Sequence, residues 1–520
     1  MANQALRSED HAANRIEDGA ARIVIVGGGT AGWMTAALLS HSLTTQECVI
    51  TVVDDGAGGI GVGEATIPSI VQLVRTLGGD EAEFMRACDA TWKLGIQFCN
   101  WKNEGHTTWH PFGQCGAVLD ERDLFSYWLA DQQRPYHSYS VNWAAALAGK
   151  SPHARNSLSP ISATGSYAFH LNAAQLVEWL KKRALANGTL VVHQRVERVE
   201  ANGEGQVASV RLRDGHQVSG DLFVDCSGFD GVLMRTCAQQ KWVDSDAQLL
   251  CDKAVTLRLP ATNVKPPFTT ATALSAGWAW EIPLMTRRGV GYVYSSQFVS
   301  DEDAVEELKV NVGPSENTVA IEPQFLTMQV GRHAQAWIGN VVAIGLSAGF
   351  VEPLESSGLH LIQTAIERLL QYLPTPNTTE KAQDALRTQY NAEAAKQYDE
   401  VRDFVQLHYL VSERDEPFWK AARETLQSAA LQHRLRLYKE IGMLDVLQSS
   451  AFPDASYYYL LAGNGWLPKR PAALSLSVER EQLQIVLQAI LDQNQSALRQ
   501  LPLHEEMLQH VHATGAAKAS

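Results

Sequence analysis

A glycine turn, GGGTAG at residues 27–32, constrains this chain more than any other feature. It follows Ile23–Val26, a short apolar run rich in β-branched residues, and opens a stretch of helical pattern from about Trp33 to Leu43. CVITVVDD then reads as a second strand. Strand, glycine turn, helix and strand make a βαβ unit, and Gly27, Gly29 and Gly32 fit GxGxxG within it. Gly27 allows the tight turn, Gly29 lets the backbone approach a pyrophosphate, and Gly32 lets helix and strand pack closely. Thr30 and Ala31 open the helix, whose free N–H groups suit an anion. Asp54, at the end of the second strand, stands where an acid accepts hydrogen bonds from a ribose.

Composition narrows the partners. The 520 residues carry 57 acidic and 43 basic side chains, a formal charge of −14. Phosphate backbones need a basic face, so nucleic acid is not an expected partner. The polar N-terminus has no apolar signal-peptide core, and no run approaches the ~18 apolar residues of a membrane span. A soluble, cytoplasmic protein is expected, as monomer or homodimer. The seven cysteines are scattered and form no CxxC or Cys/His cluster, which predicts free, mostly buried thiols and no metal site.

The chain divides into a disordered lead (1–20), a core (21–358), a helical region (359–512) and a short disordered tail (513–520). Between 165 and 230, LNAAQLVEWLKKRALANG is helical, with Gly188 as its stop, and the sequence after it alternates and turns as short antiparallel strands. In GLHLIQTAIERLLQYLP an apolar stripe runs from Leu359 to Leu373, and Pro374 ends it. SAGWAWEIPLMTRR, at 275–288, reads as a strand with Trp278 and Trp280 on one face, ended by Pro283.

GDLFVDCSGF resembles the second flavin-contacting segment of FAD-dependent hydroxylases, and no second GxGxxG that opens a helical stretch offers an NADPH site. Five stretches in order then carry a closer resemblance: GGGTAGWM (27–34), GVGEATIP (61–68), WKLGIQFCNW (92–101), WAWEIP (278–283) and FVEPLESSG (350–358). From about residue 20 to 468 the chain resembles the flavin-dependent halogenases of the tryptophan-halogenase family. The resemblance implies an α/β, Rossmann-like flavoprotein-monooxygenase fold, with an antiparallel-sheet substrate region and a helical C-terminal subdomain. It implies FAD, used as FADH2, held by the glycine turn and Asp54 together with Gly63, Glu64, Ala65, Val196, Gly345 and Leu346. It also implies a halide ion as co-substrate, a separate NAD(P)H-dependent flavin reductase as partner, and a small aromatic substrate. The hypohalous acid made near the flavin passes through a tunnel to that substrate, with Trp278, Trp280 and Pro283 as a wall between the chambers.

Lys93 matches the family's active-site lysine. The residues agree, because it lies in an aromatic, apolar stretch where a solvated charge is out of place. A burial-perturbed ammonium can hydrogen-bond hypohalous acid, and its neutral amine can form a haloamine. Glu355 matches the catalytic glutamate, which either polarises the oxidant or takes the ring proton; Glu352 is its rival. Ser357 and Gly358 precede a helix and are placed for a halide, although ESSG also fits a plain helix-capping turn. His110 and Phe112 align with substrate-pocket positions, where Phe112 can stack on an indole-like ring.

The pattern departs in one place. Before SYYYLLAGNGWLP (456–468), the segment IGMLDVLQSSAFPDA is short and lacks the tyrosine pair, the glutamate and the Phe-Trp pair with which the family's tryptophan enzymes hold the amino acid. That points to indole or an indole derivative instead of free L-tryptophan. The alternatives are an FAD-dependent aromatic hydroxylase, against which WAWEIP and the Lys93/Glu355 pair argue, and a flavin-binding protein without turnover.

Overall fold

The computed structural model describes residues 20–513, apart from 47, 57–63, 120–121, 156, 204–205, 238–239, 314–321, 376, 447–450 and 472. The expected N-terminal lead and C-terminal tail lie almost entirely outside these residues, and Gly63 lies outside them too.

The βαβ unit forms as its pattern requires. Strand Ala21–Val26 pairs in parallel with Cys48–Val53, and helix Thr30–Ser42 connects them. The helix begins three residues earlier than the apolar pattern suggested, because Gly29 caps it. These strands are the middle of a six-stranded sheet in the order 337–338, 341–343, 222–225, 21–26, 48–53, 190–192. Strands Leu222–Asp225 and Leu190–Val192 pair in parallel with it, which corrects the expectation that the whole 190–225 region is antiparallel. Leu222–Asp225 is buried at all four positions, as a central parallel strand must be. Only Val196–Ala201, Val207–Leu212 and Gln217–Ser219 form the antiparallel meander.

A second, seven-stranded sheet holds the order 324–327, 253–260, 287–294, 277–283, 269–274, 95–99, 107–111. WAWEIP lies in its middle, paired antiparallel on both sides. A small sheet joins the two motif regions: strand Ala168–Leu171 pairs with Glu64–Ala65 on one edge and with Thr91–Lys93 on the other. Beyond Gly358 the chain is helical. Helix Gly358–Tyr372 ends just ahead of Pro374 and packs beside helix Thr30–Ser42. Helix Glu380–Leu410 follows, and Asp454–Gly463 packs on strand Thr107–Pro111. The last helix, His504–Ala513, docks against Glu81–Ala87. Within the described residues no helix is long and apolar enough to cross a membrane. All seven cysteines are free thiols, five of them buried.

Candidate active site

The glycine turn lies tight against the strand ends. Gly27 has φ +115°, and a Cβ there would stand 2.3 Å from the Cys226 carbonyl oxygen. A Cβ on Gly32 would meet the Gly27 oxygen at 1.9 Å, so the helix packs on the turn without side chains between them. Gly28, which the spacing rule did not single out, is just as constrained, since a Cβ would fall 1.9 Å from Asp54 Oδ1. Gly29 faces open space, and it caps helix Thr30–Ser42 with no side-chain bond and no acid in the first turn. The N–H groups of that turn, including those near Thr30 and Ala31, stay available for an anion. Asp54 is buried at the strand end; its Oδ1 accepts the Gly56 N–H at 2.9 Å, and Lys181 Nζ lies 4.0 Å from its Oδ2. These residues fit a dinucleotide with a pyrophosphate at the helix start.

The other described flavin candidates come from three further segments. Gly345 has φ +83° and opens the turn Gly345–Ser347, which contains Leu346; a Cβ on Gly345 would press on Ala31 at 2.8 Å. Val196 begins its strand four residues after Val192, whose carbonyl accepts the Asp54 N–H. Glu64 and Ala65 sit on the small sheet, and burial pushes the Glu64 carboxyl up to about 7.

That sheet carries the chain from Glu64 to Lys93. Lys93 is fully buried, and its Nζ donates to the Thr66 carbonyl at 3.1 Å and to Ser356 Oγ at 2.9 Å. Burial draws its ammonium down from 10.5 to about 7, against a smaller opposing pull from Glu355. The Phe112 ring centroid lies 5.1 Å from Nζ. Ser356 adopts φ +59°, a left-handed conformation uncommon outside glycine, which turns the ESSG segment sharply after Glu355.

Glu355 is fully buried at the end of the turn Pro353–Glu355. His110 Nδ1 donates to it, 2.8 Å from Oε2 and 3.0 Å from Oε1, and His408 Nε2 lies 2.8 Å from Oε1. Burial would raise this carboxyl, but the two imidazoles outweigh it and hold it at about 2. His110 comes from strand Thr107–Pro111, and its ring lies 5.7 Å from Phe404, 6.2 Å from Tyr459 and 6.4 Å from Phe452. Lys93, Glu355, His110 and Phe112 therefore converge on one buried, aromatic-lined region, although they span more than 250 residues of chain.

Ser357 precedes helix Gly358–Tyr372 and makes no side-chain cap, so the plain capping reading of ESSG does not hold for it. Its buried Oγ has no partner among the described residues. Trp278 and Trp280 are buried on one face of their strand, with centroids 6.0 Å apart and both indole N–H groups unpartnered among the described residues. Trp280 lies over Gly291, where a Cβ would come within 2.2 Å of the ring. The Pro283 carbonyl accepts from Thr91 Oγ1 at 2.7 Å, which ties the end of WAWEIP to the Lys93 strand. A surface groove of about 1060 Å³ around residues 296–311 is lined by none of these side chains.

Sequence reasoning missed Ser356, Thr66 and His408. Ser356 and Thr66 sit inside quoted motifs, so their position was a signal. His408 stands alone in FVQLHYL, where a histidine reads as ordinary helix core, and only the fold brings it to Glu355.

The description of the family model that matches residues 22–479 is tryptophan halogenase. The chain is 36% identical to the tryptophan 6-halogenase SttH of Streptomyces toxytricini, over 88% of this chain and 92% of that one. It is 33% identical to the tryptophan 7-halogenase RebH of Lentzea aerocolonigenes, over 94% and 98%. Among solved structures, BrvH, a flavin-dependent halogenase from Brevundimonas sp. BAL3, superposes with a TM-score of 0.87 at 34% identity, covering 95% of this chain and all of that one.

Proposed function

The chain belongs to the tryptophan halogenase family, and on that premise we propose that it is a flavin-dependent halogenase acting on a small electron-rich aromatic, indole or a simple indole derivative. Gly27, Gly29, Thr30, Ala31, Gly32, Asp54, Gly63, Glu64, Ala65, Val196, Gly345 and Leu346 would hold FAD. When bound in reduced form, FAD with O2 supplies the oxidising equivalents that turn chloride or bromide into hypohalous acid. Ser357, with an unpartnered hydroxyl, and the Gly358 N–H at the helix start would hold the halide. Trp278, Trp280 and Pro283 form a wall that excludes the aromatic from the flavin chamber.

One observation carries the assignment: Lys93 Nζ is bonded to the residue next to Glu355, inside an apolar enclosure that brings its ammonium to about 7. At neutral pH that amine can both give and regain a proton. The aromatic ring attacks the halogen of hypohalous acid held by Lys93. The new carbon–halogen bond takes a ring electron pair, and the O–X pair returns to oxygen. That oxygen takes a proton from Lys93 and leaves as water. Glu355 removes the ring proton, the C–H pair restores aromaticity, and Glu355 returns the proton to Lys93. His110 and Phe112 would orient the ring.

The single dinucleotide fingerprint supports a separate flavin reductase. The deciding assay combines purified protein, a flavin reductase, NADH, bromide or chloride and a panel of aromatics, read by mass spectrometry. A halide-dependent mass gain is expected. A gain of oxygen without halide would establish the hydroxylase reading instead.

A further inference from the structure

Two carboxylates share one turn and are set in opposite states. Glu352 caps the turn Pro353–Glu355, and both it and Glu355 are fully buried. Consecutive residues of helix Glu380–Leu410 reach them. The Tyr409 hydroxyl donates to Glu352 Oε1 at 2.6 Å, and Cys251 Sγ lies 3.6 Å from that hydroxyl. Glu352 Oε2 has no partner among the described residues, and burial pushes this carboxyl up to about 7. Glu355 is buried equally, but it faces the imidazoles of His110 and His408 and stays at about 2. Since burial is the same, the partners decide the ionisation.

The contacts of His408 set its proton count. Its Nδ1 lies 2.9 Å from the Phe404 carbonyl, which only accepts, so Nδ1 carries hydrogen. Its Nε2 faces the ionised Glu355, which also only accepts, so Nε2 carries hydrogen as well. Both ring nitrogens are thus engaged by groups fixed in the fold. Phe98 at 5.0 Å, Phe404 at 5.2 Å and Trp101 at 5.9 Å enclose the ring.

We propose that His408 is a positioning residue for halogenation, an imidazolium clamped between the Phe404 carbonyl and Glu355 that keeps this carboxylate oriented and ionised beside the Ser356 that holds Lys93. This rests on the proposed halogenase reading for the reaction it serves. The groups facing Glu355 are His110 from strand Thr107–Pro111 and His408 from the long helix, with Lys93 of strand Thr91–Lys93 feeling its charge. Tyr409 and Cys251 face Glu352, and the charge of Lys93 acts on the buried His170. His110 also lines the aromatic region, whereas His408 spends both nitrogens on fixing the carboxylate.

The test compares kcat across pH for wild type, His408→Gln and His408→Lys, all supplied by a reductase. Gln keeps a donor but loses the charge, so Glu355 is left with the His110 imidazole and its carboxyl rises. The Gln/wild-type ratio of kcat should fall as pH is lowered from 9, reaching about a tenth one unit below the pH at which the variant's carboxyl titrates. KM for the aromatic should hold, and Lys should restore the wild-type profile. A loss equal at every pH, or a Gln profile matching wild type, would overturn the proposal. Should the variants not fold, histidine-labelled 15N NMR of the unaltered protein at pH 7 decides it. One histidine with both ring nitrogens protonated is expected, and Glu355→Gln should abolish that signature. Its absence from wild type refutes the positioning role. Its presence in a protein that halogenates no aromatic would refute the proposed function and leave the clamp standing.

Discussion

Replacing Lys93 with Met separates what this side chain does for the reaction from what it costs the fold. Met retains most of the buried stem and removes the amine. Lys93 falls from an ordinary 10.5 to about 7 in the folded protein, chiefly through burial. A lowered lysine means that the unfolded chain binds the proton more tightly. The resulting penalty on folding is therefore absent above about pH 10.5, grows as pH falls toward 7, and is constant below it. At about 1.4 kcal/mol per unit, the full penalty is roughly 5 kcal/mol. Met escapes it but leaves the Thr66 carbonyl and the Ser356 hydroxyl without their donor, which costs about 1–3 kcal/mol each. These losses do not vary with pH, so they cancel when two pH values are compared. Between pH 7 and pH 9 the wild type should gain about 2 kcal/mol relative to Lys93→Met. Urea unfolding of both proteins at the two pH values measures this. Halogenation should drop by about a thousandfold or more while FAD affinity is retained. A stability difference that stays the same at pH 7 and pH 9 would refute the buried-ammonium argument. Loss of FAD binding would place Lys93 in the flavin chamber.

Gly28→Ala puts a methyl 1.9 Å from Asp54 Oδ1, so FAD affinity, followed by fluorescence titration, should weaken about tenfold or more while the remainder of the fold persists. Turnover driven by NADPH should require added flavin reductase, and a rate indifferent to the reductase would show a built-in nicotinamide site. In competition at equal concentrations, indole should show a higher kcat/KM than L-tryptophan. The zwitterion loses hydration at two charges, each costing about several kcal/mol unless a partner replaces the water; the segment that carries such partners in the family's tryptophan enzymes is shortened here. A higher kcat/KM for tryptophan would mean that another loop supplies the clamp.

Much of this was legible in the chain. GxGxxG is a local rule, because a tight turn, a close phosphate and a packed helix all act within a few residues of one another. Trp278 and Trp280 were legible as strand neighbours because side-chain alternation in a strand is local too. The burial of Lys93 followed from its aromatic surroundings. Parallel and antiparallel pairing within 190–225 was not legible, since short apolar strands carry no mark of the neighbour they will choose. Gly28 escaped because the spacing rule sees the turn and not the Asp54 carboxylate folded against it.

The sequence by itself determined the dinucleotide turn, the order of the motifs and the residue types able to do the chemistry. Covalent spacing and local periodicity are enough for these. Only the tertiary structure decided how those residues are charged. Glu352 and Glu355 stand three residues apart in one turn and are equally buried, yet one is driven up to about 7 and the other held near 2. The difference comes from His110 and His408, whose imidazoles face Glu355 while Glu352 has the Tyr409 hydroxyl; all three lie more than fifty residues away along the chain and meet the turn only in the folded protein. Ionisation inside a protein depends on which dipoles and charges surround a group, and long-range packing sets those neighbours.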